Sequence, residues 1–137
     1  MSAASNYLEL KLLDHTLRHS TAPFTGPSTV YVALFTADSA GDTLNDLEQN
    51  ILTNEVSGSG YARQSVTFAA AASGSISSNS TVTFTASGGA FGTVAFAALM
   101  DASTSGQCLF YGSISPKSIQ DGDSLQFASG NITVSLA

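Results

Sequence analysis

Apolar residues recur along this chain with two different periods. Over residues 5–18, SNYLELKLLDHTLR, Leu10, Leu13 and Leu17 fall at helical spacing and Tyr7 joins them, which predicts an amphipathic α-helix. Ser5 or Asn6 is placed to cap its start. Glu9 lies in the first turn, where the helix dipole favours an acid, and Arg18 and His19 sit near the C-terminal end. A short helix with one leucine face does not fold alone. That face must dock on the rest of the chain or on a neighbouring subunit.

From residue 28 onward the period falls to two. TVYVALFT (29–36) and GTVAFAALM (92–100) are apolar on both sides, as strands covered on both faces are. ARQSVTF (62–68) alternates, with Ala62, Gln64, Val66 and Phe68 on one side and Arg63, Ser65 and Thr67 on the other. STVTFT (80–85) turns Val82 and Phe84 inward, and CLFYGSI (108–114) follows a Ser/Thr/Gly turn. DSLQFASG and NITVSLA close the chain with Leu125, Phe127, Ile132, Val134 and Leu136 inward. Seven strands joined by Gly/Ser/Asp turns predict a mainly β fold: an antiparallel, jelly-roll-like β-sandwich with one N-terminal α-helix. The 137 residues are expected to form a single domain, helix 5–18 followed by sandwich 28–137.

Residues 37–59 interrupt the alternation with five of the ten acidic residues and no basic one. A connection this long is functional, mobile or partly helical. DTLNDLEQNIL fits one or two helical turns with Leu44, Leu47 and Ile51 on one side. The expectation is an excursion over the sandwich that presents these three apolar residues to a neighbour; the alternative is that they pack back on their own sandwich.

Composition narrows the function. Charged residues make up 10% of the chain and the net charge is −6, against roughly a quarter charged in ordinary domains. No Lys/Arg cluster exists to contact phosphates, so nucleic-acid binding is not expected. No apolar stretch reaches the length of a membrane span, and the N-terminus lacks a secretion signal's basic start and apolar core. The single cysteine, Cys108, forms no internal disulfide and reads as a small buried hydrophobe.

Candidate chemistry is sparse. His15 and His19 have no nucleophile elbow to serve, so no catalytic residues and no enzymatic activity are expected. Asp38, Asp42, Asp46 and Glu48 do not match a calcium loop, and neither a metal nor any other cofactor is expected. Arg63 stands out among serines and threonines. Its planar fork suits bidentate pairing with a carboxylate, across strands or across a subunit boundary. The candidate interface set is therefore Tyr7, Leu10, Leu13, Leu17, Leu44, Leu47, Ile51 and Arg63.

The order NYLELKLLDHTL, TVYVALFTADS, GSGYARQSVTF, FAALMDAS, LFYGSI and GDSLQFASGNITVSLA resembles small tailed-bacteriophage virion proteins, a family labelled tail-fibre or capsid-decoration. The resemblance spans nearly the whole chain, and the 37–59 excursion is longer and more acidic than the family pattern. It implies a β-sandwich that assembles on other virion proteins. The expected function is a capsid decoration, or cement, protein on the outside of the head. It would bind the major capsid protein or other virion proteins across subunit boundaries, as a homotrimer where the lattice has threefold points. The alternative is a tail-fibre or host-recognition module. A carbohydrate-binding or enzymatic β-sandwich lacks the aromatic platforms it would need.

Overall fold

The computed structural model describes residues 3–18 and 23–136. A two-residue strand β1 (Ala3–Ala4) leads into helix α1 (Asn6–Leu17). Then come β2 (Val30–Thr36), a short helix α2 (Thr43–Glu48), β3 (Gln64–Val66), β4 (Ser75–Ser77), β5 (Val82–Thr85), β6 (Gly92–Met100), β7 (Cys108–Ile119), β8 (Ser124–Phe127) and β9 (Thr133–Ser135). One layer is a five-stranded antiparallel sheet in the order β1-β7-β6-β2-β3. Facing it are two antiparallel pairs, β4 with β9 and β5 with β8, so the second layer is split rather than one continuous sheet.

The two-sided apolar runs are explained by what covers each face. Val32 and Leu34 of β2 enter the sandwich core with Val82, Phe84, Leu125, Ile132 and Val134. Ala33 and Phe35, pointing the other way, join Leu47, Ala98, Met100, Cys108 and Tyr111 in a second cluster. α2 closes that second face with Leu47, so the middle strands are buried on both sides.

The structure departs from the sequence expectation at several points. β1 and β4 are additional strands, too short and too rich in alanine and serine to show a period. β7 continues past Ile114 to Ile119, through Pro116. Its register against β6 slips between Val94 and Phe96, where Lys117 and Ser113 are the partners, so Pro116 falls in the slip and interrupts no ladder bond. Ala62 is exposed and Arg63 buried, because the chain is still turning at 61–63 and β3 begins only at Gln64. Leu136, expected inward, lies beyond β9 and is 59% exposed.

Candidate functional site

Ser5 roots α1. Its amide donates to the Leu109 carbonyl at 2.9 Å, and its hydroxyl donates to the Cys108 carbonyl while accepting the Leu8 amide as helix cap. Ala4 and Ala3 pair with Phe110 and Tyr111. The helix therefore leaves the sheet edge at β7 with a fixed direction. Leu8 is its buried residue, and Leu12 is half-buried. Leu10, Leu13 and Leu17 face outward at 65, 56 and 77% exposure, a continuous apolar stripe with no cover from the described residues. Tyr7 is half-buried at the helix start. His15 accepts the Phe24 amide at Nδ1, 3.2 Å away, and so ties down the following loop. His19 lies outside the described residues.

The 37–59 excursion divides its apolar residues. Leu47 is fully buried in the chain's own core and is withdrawn from any partner, which corrects its expected outward role. The cause is local. α2 ends at Glu48, and just beyond it the Asn50 side-chain amide donates to the Gly106 carbonyl at 3.1 Å and accepts the Cys108 amide at 2.7 Å, holding Leu47 against β6 and β7. Leu44 and Ile51 lie on the outer side, each 41% exposed. Carboxylate oxygens of Asp38, Asp42 and Asp46 come within 4.8 Å of one another at the start of α2. Hydrogen bonding between Asp38 and Asp42 lowers the first carboxyl and raises the second. Asp38 also accepts the Gly41 and Asp42 amides at 2.5 and 3.0 Å, closing the turn into the helix.

Arg63 is bound within its own chain. Its Nε and Nη2 donate to the two oxygens of Glu55, each at 2.7 Å. Nη1 donates to the carbonyls of Ala102 and Ser105 at 2.8 and 2.7 Å. Tyr61 donates to the same Glu55 carboxylate at 2.9 Å and accepts the Leu34 amide at 3.0 Å. The Glu55 carboxylate holds the Arg63 guanidinium above its ordinary pKa, and burial raises the Tyr61 phenol. This network fastens the 101–107 turn and the end of the acidic excursion to β2. A groove of about 340 Å³ runs beside it, past Ser103 and Thr104. Among the described residues no buried side-chain nitrogen or oxygen lacks a partner. Burial pushes the Cys108 thiol up to about 12, and its sulfur donates to the Phe110 carbonyl.

A further surface could not be read from the sequence. Between the β4–β9 pair and β7 an apolar groove opens in two lobes of about 150 and 200 Å³. Ile76, Phe110 and Val134 are shared by both lobes, Val30 and Phe68 line one and Leu136 the other. Its walls come from residues more than a hundred positions apart, and only strand pairing brings them together.

The architecture is that of a small β-rich structural module: an antiparallel sandwich with unfilled apolar surfaces on a helix and a groove. Residues 3–135 match the family described as Podophage GP4 fiber I protein gp80, and the chain belongs to that family of phage virion proteins. No curated protein is similar enough to match the chain.

Proposed function

We propose that this chain is a structural subunit of a phage fibre, held in the particle by protein–protein contacts and doing no chemistry of its own. The observation that carries the reading is the leucine stripe of α1. Three large apolar side chains on one exposed helix face are the kind of surface that marks an interaction site, and the family's description supplies the fibre. A capsid-decoration role is the second reading. It is favoured by the second exposed apolar pair, Leu44 and Ile51, on the side of the chain covered by α2. Two separate apolar surfaces would let one copy bridge two capsid subunits. Immunogold labelling of intact virions separates the two readings. Gold on tail appendages supports the fibre, gold spread over heads supports decoration, and no labelling of purified particles refutes both. Virions carrying Leu13→Glu should lose the protein if α1 is the attachment surface.

A further inference from the structure

We propose that the α1 stripe of one copy fills the two-lobed apolar groove of the next, building a closed ring of identical chains. The inference rests on the reading of α1 as an attachment surface and names what it attaches to.

The two surfaces suit each other in shape and chemistry. Leu10, Leu13 and Leu17 lie along one side of a helix that rises about 5.4 Å per turn, so they present a row of knobs about one turn apart. The groove offers adjoining lobes, and a cavity of ~150 Å³ lined by aliphatic and aromatic groups accepts a benzene-sized guest. No charged residue lines either lobe. Charge also selects the occupant. Glu9 and Asp14 balance Lys11 and the C-cap Arg18, so the whole net charge of −6 lies outside residues 5–18, the helix with its caps. The helix is thus a neutral segment that approaches an acidic neighbour without repulsion. The Leu44–Ile51 patch, set among Asp42, Asp46 and Glu48, has no such freedom.

The helix does not serve its own groove. β1 and Ser5 root α1 on Leu109, Phe110 and Tyr111, at the groove's edge, yet Leu10, Leu13 and Leu17 remain exposed. Each copy therefore has one stripe to give and one groove to fill. Such a contact joins different surfaces on the two partners, and it closes into a ring when the rotation permits.

The test uses the purified full chain in analytical ultracentrifugation, with Leu13→Glu, Leu17→Glu and Ala71→Glu as variants. Leu13, Leu17 and Ala71 are exposed, so folding should survive, and circular dichroism verifies it. The parent should form one discrete oligomer, and each variant should fall to monomer. Cross-linking identifies the contact, because Cys108 is buried and the engineered thiols are the ones that react. A mixture of Leu13→Cys and Leu136→Cys chains treated with a short bismaleimide should give a covalent dimer joining the two variants. A parent that is monomeric, an oligomer indifferent to all three charges, or cross-links only between two Leu13→Cys chains would overturn the proposal. If the parent is monomeric while Leu13→Glu still abolishes incorporation into virions, the ring is wrong and the attachment role of α1 stands.

Discussion

Replacing Arg63 with lysine keeps the charge and removes the fork. The guanidinium makes four short hydrogen bonds, two to Glu55 and two to the carbonyls of Ala102 and Ser105. Its side chain is 3% exposed and that of Glu55 18%, so water does not readily replace what is lost. An ammonium donates from one nitrogen and cannot span both the carboxylate and the turn carbonyls. Hydrogen bonds to charged groups contribute about 1.5–3 kcal/mol each. With two lost and part of the charge interaction retained, Arg63→Lys should cost about 2–4 kcal/mol. At roughly 3 °C per kcal/mol for a chain of this length, Tm should fall by about 6–12 °C. Arg63→Met should cost somewhat more, about 3–5 kcal/mol, because it strands Glu55 without a counter-charge. Scanning calorimetry at neutral pH measures both. Hydrogen exchange should show the 101–107 amides opening first, since that turn loses its tether to β2. A lysine variant that melts within about 1 °C of the parent, with unchanged exchange in the turn, would refute the clamp.

Other substitutions separate inner from outer residues. Leu8→Ala and Leu47→Ala should each destabilise the isolated chain by about 2–5 kcal/mol in urea titrations. Leu13→Ala should move the isolated chain by under about 0.5 kcal/mol, as exposed positions do, and show its effect only on assembly. Deleting residues 41–52 should unfold the protein, visible as loss of near-ultraviolet dichroism, because it removes Leu47 and both Asn50 bonds. Alkaline pH should also destabilise it. The folded Cys108 thiol, raised from 9.0 to about 12, keeps its proton more tightly than the unfolded one. That contribution is complete below about pH 9 and is lost as pH rises towards about 12, with Tyr61 and Tyr111 shifted the same way. Cys108→Val should flatten the fall in unfolding midpoint over that range, and the parent thiol should resist aromatic disulfide reagents until the chain unfolds.

The strands were legible because their signal is local. β2 and β6 carry unbroken apolar runs, and the structure covers both of their faces. α1 was legible as a helix but not in its orientation. Leu8 and Leu12 form one row and Leu10, Leu13 and Leu17 another, and periodicity alone does not say which row turns inward. Ser5 decides it, through carbonyls at Cys108 and Leu109 that lie far along the chain. Leu47 was grouped with Leu44 and Ile51 for the same reason, since helical spacing does not tell a core from an interface. Arg63 was recognisable as a clamp from its residue type and its surroundings. Its acid, Glu55, and its two turn carbonyls appear only once the glycine-rich bend at 58–60 brings both sides together. The apolar groove left no trace in any one segment.

The narrow root of α1 has a mechanical consequence. The helix joins the body through a two-residue ladder, the Ser5 bonds and Leu8. The sandwich behind it is locked by the nine-residue β6 paired along both edges. A pull on α1 directed away from β7 loads the β1 bonds one after another, as in opening a zipper, while β6 and β7 share their load in shear. The joint therefore yields before the body does. A pull applied through α1 therefore frees the helix with the sandwich intact, at a link that can re-form.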